Sequence, residues 1–213
     1  MNFNVIDKVR LTTPVCKFLY PKLIEPETRF NPEGTYKLNA VIPAAEADEI
    51  SGALDELMTR HKASLKAQAP GDFKFKLAEP SYLFEEVDGA PCFIMKVKQN
   101  ASGVDRSTGK RWTAAPALFD SRGALIKDRE SLRSMWSGTM GRVSFDASPF
   151  YVSAVGAGIT LRLKAVQIID LVEGGGSAES FGFGEEEGWT TGGNETGVPF
   201  DSSASIIDEP SDF

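Results

Sequence analysis

The sequence predicts a mainly β domain that carries one long helix and ends in a disordered acidic tail. Three observations predict this class. Polar and apolar residues alternate in several segments, apolar residues repeat at helical spacing between Pro43 and Pro70, and residues 173–213 hold ten acidic residues without any Lys or Arg. Alternation with period two is typical of strands with one buried face, whereas spacings of three and four residues are typical of a helix.

The predicted strands are clearest in residues 141–172. Val143 and Phe145 alternate with polar residues, as do Ile159 and Leu161, which predicts two strands joined by a connection over residues 146–158. Earlier segments show weaker alternation of the same kind. Further strands are predicted at residues 5–11, 15–19, 35–42, 91–98 and 111–119.

The segment between Pro43 and Pro70 predicts the long helix. Acidic residues lie near its expected start and Lys62 and Lys66 near its expected end, which suits the helix dipole. A shorter second helix is predicted over residues 128–136. About seven short strands around one long helix are typical of a small closed or partly closed barrel, for which an OB-type barrel is the natural candidate. The residues at helical spacing are Ile50, Leu54, Leu57, Met58, His61 and Leu65.

Charge divides the chain into two parts. Residues 1–172 hold all 23 basic and 20 of the acidic residues, a net charge of +3, while residues 173–213 carry −10 and bring the total to −7. The second part is rich in Gly, Ser and Thr and lacks apolar periodicity, so it buries too little surface to offset its chain entropy. We therefore predict a domain over residues 1–172 and a disordered acidic tail over residues 173–213.

Several classes of site are disfavoured by composition. Cys16 and Cys92 lack the spacing of metal ligands, so they are predicted to be buried thiols in the reduced state. The single histidine, His61, falls on the apolar side of the predicted helix and is interpreted as a core residue. No segment is long and apolar enough to predict a membrane span or a signal peptide. We expect no metal and no cofactor.

Enzymatic motifs are also missing. The segment STGK at residues 107–110 resembles a phosphate-binding loop, but its glycines are wrongly spaced and Arg111 stands where a Ser or Thr would bind magnesium. The acidic pair Glu85 and Glu86 precedes Asp88 in what is predicted to be a hydrophilic turn. Because acids, bases and nucleophiles do not cluster, the chain is predicted not to be an enzyme.

Basic residues interleaved with aromatic ones give the strongest functional signal. A flexible basic loop, predicted over residues 99–110, follows a strand with a basic face. Cations of this kind suit a nucleic-acid backbone, and a neighbouring aromatic ring can stack on an unpaired base. Each Lys taken singly is compatible with ordinary solvated surface, and Trp112 and Trp136 are equally compatible with core positions. The predicted DNA-binding residues are Lys8, Arg10, Lys17, Tyr20, Lys37, Lys96, Lys98, Arg106, Lys110, Arg111, Trp112, Arg162 and Lys164.

Four segments resemble a known family. They are PCFIMKVKQN at residues 91–100, PALFDSRGALI at 116–126, MWSGTMGRVSF at 135–145 and GAGITLRLKAVQIIDLVEGG at 156–175. They resemble segments of a bacteriophage family of single-stranded DNA-binding proteins with an OB fold, long catalogued as a domain of unknown function. The resemblance implies an OB-fold DNA-binding domain that coats single strands largely without sequence preference during replication or recombination, in the cytoplasm of the infected bacterial host.

The tail is similar to the acidic tails of bacterial and phage single-stranded DNA-binding proteins. Asp208, Glu209, Asp212 and the terminal Phe213 match that pattern, although the bacterial form has a proline directly before the last residue and Pro210 here does not stand there. The resemblance implies that these four residues bind replication partners, a polymerase, a primase or a helicase, and that the tail competes with DNA for the domain.

One other class of function is left open by the sequence. In it, the acidic tail is the active part, as a DNA mimic or an adaptor for a host protein, and the domain merely holds it. The oligomeric state stays open between a monomer and a homodimer, as do the length and polarity of the bound strand and the preference for single over double strands.

Overall fold

The computed structural model describes residues 3–69, 71, 74–105, 107–133, 135–174 and 184. All of these except residue 184 belong to one compact unit, Met1–Gly175, and a second unit comprises Gly176–Phe213. Beyond Gly174, the predicted tail lies outside the described residues except for residue 184, and its predicted disorder stays a prediction. The domain boundary after residue 172 stays a prediction.

The described residues form ten strands and one α-helix, α1 (Asp48–Gln68). The chain is therefore mainly β with one long helix, as predicted. The strands are β1 (Val9–Thr12), β2 (Cys16–Glu27), β3 (Thr35–Pro43), β4 (Tyr82–Val87), β5 (Ala90–Asn100), β6 (Ser102–Val104), β7 (Arg111–Thr113), β8 (Ala117–Phe119), β9 (Met140–Val152) and β10 (Gly156–Asp170).

Five of these strands pair in a closed ring. β2 pairs with β3, β3 with β5, β5 with β10, β10 with β9, and β9 again with β2. The pairs are antiparallel except β5 with β10, a parallel contact in which Arg162 faces Lys98. A small closed Greek-key sheet of five strands is the OB-type arrangement. The predicted OB-type fold is confirmed.

The other strands extend this ring. β1 adds to β9, β4 adds to β5 and β8 adds to β10, while β6 and β7 form a separate two-stranded hairpin. The interior is filled from different strands by Phe18, Phe93, Phe145 and Leu161, all less than 2% exposed. Burial of one such side chain contributes roughly 1.5–3 kcal/mol, so this alternating inner face holds the ring together.

The helix α1 packs its apolar side against the sheet. Ile50, Leu54, Leu57 and Leu65 are buried, as is His61, whose Nε2 lies 2.9 Å from the carbonyl oxygen of Phe150. The predicted helix and the core position of His61 are confirmed. The polar ends of α1 carry acids in the first turn and a lysine in the last, which suits its dipole.

Two predictions in the second half of the chain are wrong. The described residues of the range 128–136, which omit residue 134, contain only a single 3-10 turn, Glu130–Leu132, in place of the predicted helix. Residues 146–158 are mostly strand, because β9 continues to Val152 and a short turn leads directly into β10. The connection was predicted there because it contains Pro149, a residue that is rare within sheets. In the structure, β1 pairs with β9 only as far as Ala147, so at Pro149 the strand β9 pairs with β10 alone among the described strands. The missing N–H of the proline is tolerated at such an edge position.

Three further differences concern strand limits. The strand predicted at 5–11 begins only at Val9, and the one predicted at 111–119 is divided into β7 and β8. Glu85 and Glu86 are part of β4, and the turn consists only of Asp88 and Gly89, both with positive φ. Such an Asp-Gly pair is the preferred two-residue turn of a β-hairpin.

Both cysteines are free and buried, as predicted. Cys16 is 1% exposed, and burial raises the pKa of its thiol to about 11. The thiolate is the reactive form, so Cys16 is chemically inert near neutral pH.

Candidate nucleic-acid interface

The outer face of β3 and β5 is polar and basic. Lys37 and Asn39 alternate with buried residues in β3, and Lys96 and Lys98 flank the buried Val97 in β5. The register places Asn39 opposite Lys96 and Lys37 opposite Lys98. These are the second and third strands of the ring, and that face binds oligonucleotides or oligosaccharides in OB-type folds.

Four cations lie in line across this face and form what we call the basic row: Lys22, Lys37, Lys98 and Arg162. β2 places Lys22 opposite Lys37, and β10 places Arg162 opposite Lys98. Neighbouring strands are roughly 4.8 Å apart, so like charges in facing positions repel each other. Within the described chain, only Lys37 of this row forms an ion pair, with Glu27, although the register places Asp146 opposite Arg162. A polyanion lying across the row would relieve this repulsion.

A second group of cations surrounds one buried acid, and we call it the Asp146 cluster: Asp146, Lys8, Arg10 and Lys164. Lys8 Nζ lies 3.0 Å, Arg10 Nε 2.7 Å and Lys164 Nζ 3.7 Å from the Asp146 carboxylate. The Asp146 side chain is 2% exposed. The hydrogen bond from Arg10, supported by that from Lys8, lowers the pKa of Asp146 to about 2.

This cluster gives three of the predicted DNA-binding residues an acidic partner within the protein. Lys8, Arg10 and Lys164 belong to the predicted DNA-binding residues, but each contacts the carboxylate of Asp146. The connection predicted over residues 146–158 includes Asp146, which lies instead within β9. The charges of the three exposed cations are therefore partly neutralised by a buried acid of the protein itself.

Two exposed aromatic side chains lie beside the basic row, on its β2 side. Tyr20 is 70% and Trp136 62% exposed, and they line a groove of about 430 Å³ between β2 and residues 132–137, here called the aromatic groove. Tyr20 has a φ of +52°, and its amide donates a hydrogen bond to Ser137 Oγ at 2.9 Å. Left-handed backbone at a residue other than glycine is uncommon and clusters at functional sites. Lys22 also lines this groove, so a cation and two exposed aromatic rings lie side by side.

The hairpin of β6 and β7 carries most of the remaining predicted residues. Lys110 and Arg111 are exposed, and Trp112 is 40% exposed with its ring against Gly103. A Cβ at Gly103 would come within 2.7 Å of that ring, so only glycine lets the ring lie flat on this strand. Arg106 lies outside the described residues.

Polar contacts order this hairpin, in contrast to the flexible loop predicted for residues 99–110. Glu33 accepts a hydrogen bond from Arg111 Nη2 at 2.7 Å, and the Ser102 hydroxyl donates to the Glu33 carbonyl oxygen at 3.0 Å. At the turn, Asp105 accepts from the amide of Ser107 at 2.7 Å, and hydrogen bonds led by the Ser107 hydroxyl lower the pKa of Asp105. The hairpin is thus held against the β2–β3 connection, at the end of the face where β3 begins.

Sequence reasoning missed three residues of this surface. Lys22 lies beyond the predicted end of its strand, and Trp136, for which the sequence is equally compatible with core and binding positions, is too exposed to be a core residue. Phe30, in the β2–β3 connection, is 79% exposed with the Arg29 guanidinium 5.2 Å from its ring centre. An Arg-Phe pair in a Pro- and Gly-bearing loop was the available signal for this third residue.

Of the thirteen predicted residues, the twelve that the structure describes fall into separate groups. Lys17, at the far end of the face, pairs with Asp88 at 3.2 Å. The outer face of β2, β3, β5 and β10 brings together Lys17, Lys37, Lys96, Lys98 and Arg162, with Tyr20 at its side; the hairpin carries Lys110, Arg111 and Trp112; and the Asp146 cluster holds Lys8, Arg10 and Lys164. The predicted partner-binding residues Asp208, Glu209, Asp212 and Phe213 lie outside the described residues.

Within the described residues, no three His, Cys, Asp or Glu side chains are grouped so that they could hold a metal ion. In the same part of the chain, no helix combines the length and apolar character needed to cross a bilayer.

The chain is similar in sequence to a curated protein, the single-stranded DNA-binding protein of Escherichia phage T7. The two are 27% identical over 177 residues, which cover 77% of this chain and 74% of the relative. No protein-family model matches the chain. The similarity confirms the resemblance to phage single-stranded DNA-binding proteins. The relative is a binding protein by name, in agreement with the prediction that this chain is not an enzyme.

Solved structures show the same fold. The crystal structure of gp2.5, a single-stranded DNA-binding protein encoded by bacteriophage T7, matches with a TM-score of 0.67 and 21% identity, covering 86% of this chain and 99% of that one. The single-stranded DNA-binding protein of bacteriophage Enc34, solved in complex with single-stranded DNA, matches with a TM-score of 0.55 and 14% identity, covering 77% and 88% of the two chains.

Proposed function

We propose that this chain is a phage single-stranded DNA-binding protein that coats exposed strands during replication or recombination, in the cytoplasm of the infected bacterium. The observation that carries the proposal is the basic row, four cations in register across β2, β3, β5 and β10 with a single acidic partner in the described chain. The phage relative and the solved phage structures support it.

The row binds phosphates and the aromatic groove binds bases. Each phosphate neutralised on a single strand releases counterions and adds roughly 0.7 to the slope of log affinity against log salt. Stacking of a base on Tyr20 or Trp136 adds roughly 1–3 kcal/mol and is tolerant of sequence because every base has a π face. We therefore expect binding that is steeply dependent on salt and has little sequence preference.

The acidic tail is the regulatory part of this proposal. Trp136 N donates to the Val172 carbonyl oxygen at 2.8 Å, and Gly174 lines the aromatic groove, so the chain enters the tail at the rim of the proposed DNA-binding face. Ten negative charges attached at this point compete with DNA for the row. When DNA displaces the tail, Asp208, Glu209, Asp212 and Phe213 become available to a polymerase, a primase or a helicase.

The test of DNA binding compares two variants that each remove three positive charges. In one, Lys22, Lys98 and Arg162 are changed to Ala; in the matched control, Arg60, Lys62 and Lys66 of α1 are changed to Ala. Fluorescence anisotropy with a labelled oligo(dT) should show a salt slope smaller by roughly 2 for the row variant, about 0.7 for each lost phosphate contact. The helix variant should keep the slope. Equal slopes in both variants would mean that the row does not bind phosphate.

The tail is tested by removing residues 175–213. The shortened protein should bind oligo(dT) more tightly than the full chain at low salt and should lose binding to the phage polymerase, primase or helicase. Unchanged or weaker affinity for DNA after truncation would contradict competition by the tail.

A further inference from the structure

A second groove lies at the other end of the basic face. It measures about 510 Å³ and is enclosed by β2 and β3 on one side and the tip of the β4–β5 hairpin on the other; we call it the hairpin groove. Val41 and Cys92 form its apolar floor, with Val87 packed against them. Sites for small organic groups have volumes of roughly 300–1,000 Å³ and are mainly apolar with a few polar groups at the rim.

The hairpin groove is continuous with the residues proposed to bind DNA. On β3, Val41 lies two positions from Asn39 and on the same face, which corresponds to about 7 Å along the strand. On β5, Ile94 faces Val41 and precedes Lys96 by two positions. A bound strand that leaves the basic row and turns along β3 and β5, past Asn39 and Lys96, therefore reaches the groove with its next nucleotide.

One ion pair closes the rim of the groove. Lys17 lies opposite Val41 in the register, and its Nζ is 3.2 Å from Asp88 Oδ2 in the hairpin turn. Both side chains are well exposed, at 41% and 79%. Exposed ion pairs contribute little in water, so a phosphate can take the place of Asp88 beside Lys17. Glu46 also lines the groove, which favours an uncharged base over a phosphate in its interior.

We propose that the hairpin groove holds one unpaired base of the bound strand, and that Lys17 exchanges Asp88 for the adjoining phosphate. This subsite rests on the proposed binding of single-stranded DNA to the basic face. It extends that face by one nucleotide beyond Lys96 and gives the β4–β5 hairpin a role in binding.

The first experiment tests the exchange at Lys17, with the full chain and oligo(dT) of increasing length. Lys17→Met should weaken binding about threefold to tenfold and reduce the salt slope by roughly 0.7, for one lost phosphate, only with oligonucleotides long enough to reach the groove. Lys62→Met on α1 is the matched control and should change neither. An unchanged slope for Lys17→Met would overturn the subsite.

Two hairpin variants test the ion pair itself. Asp88→Asn should strengthen binding about threefold because it frees Lys17, whereas Glu86→Gln, which removes one negative charge from the same hairpin, should have a smaller effect. In the double variant with Lys17→Met, the gain from Asp88→Asn should vanish. Equal gains from Asp88→Asn and Glu86→Gln, or a gain that persists in the double variant, would overturn the exchange.

A filling variant tests the base. Ala90 is exposed and lines the groove, so Ala90→Trp should occupy it and should weaken binding of long oligonucleotides while leaving short ones unaffected. Equal binding of long oligonucleotides by this variant and the unmodified chain would place the base elsewhere. If the unmodified chain binds no oligonucleotide, the proposed function fails; if it binds and depends on the basic row but not on Lys17 or Ala90, only the subsite fails.

Discussion

The basic row and the Asp146 cluster both consist of Lys and Arg side chains on or next to neighbouring strands, and they differ by one buried carboxylate, that of Asp146. Arg162 lies at their border, facing Lys98 in β5 and Asp146 in β9. On one side the cations mostly lack acidic partners in the described chain, and on the other side three of them converge on a carboxylate that is 2% exposed. The comparison shows that the charge of a strand cation is most available to a ligand where its side chain forms no ion pair with an acid of the chain.

The largest expected effect comes from removing the acid of the cluster. Asp146→Asn keeps the shape of the side chain but removes its charge. Because the pKa of Asp146 is about 2 against an ordinary 3.8, the change should reduce the free energy of unfolding at pH 7 by roughly 2 kcal/mol. Urea denaturation would measure this. Asp170→Asn, at the exposed end of β10, is the control and should change it by less than about 0.5 kcal/mol.

An effect of similar origin should appear with pH. The folded pKa of Asp146 is lowered, so its contribution to stability is fully present above about pH 4 and is lost as the pH falls toward 2. The difference in unfolding free energy between the unmodified chain and Asp146→Asn should therefore shrink between pH 5 and pH 3. A difference that stayed constant over this range would show that the carboxylate is not held by its cations.

The smallest effect of the same substitution is expected on DNA binding. Without the acid, the cations of the Asp146 cluster should become available to phosphates, as those of the basic row are proposed to be. Asp146→Asn releases Lys8, Arg10 and Lys164, so the salt slope for oligo(dT) should steepen by up to about 1 and affinity should rise about threefold at low salt. Measurements belong at a temperature where the variant is fully folded. No change in slope would mean that the bound strand ends before it reaches β9, and the row alone would then set the binding site.

Local patterns of apolar residues in the sequence predicted much of the fold. Alternation around Phe145 and Leu161 predicted β9 and β10 because a strand with one buried face repeats every two residues. Helical spacing around Leu54 and Leu57 predicted α1 for the corresponding reason. These signals lie within short windows of sequence, and the packing that they express needs no knowledge of distant partners.

Features that depend on strand register could not be predicted in the same way. Asp146 was placed in a connection because Pro149 follows it, and its three cations come from distant positions in the chain. Lys22 was missed because it lies beyond the strand predicted at residues 15–19, whereas β2 continues past this point with a bulge. Trp136 fell within a predicted helix that did not form, so its exposure could be seen only in the folded chain.

The seam between β5 and β10 has one consequence for the mechanics of the protein. The ring closes there by a parallel contact in which two cations, Lys98 and Arg162, face each other. Like-charge repulsion between Lys98 and Arg162 therefore destabilises this pairing of β5 with β10, and phosphates bound to both cations would remove the repulsion. Any ligand that binds only the closed form also stabilises that form. We expect the amide hydrogens of β5 and β10 near this contact to exchange with solvent more slowly when single-stranded DNA is bound than when it is absent.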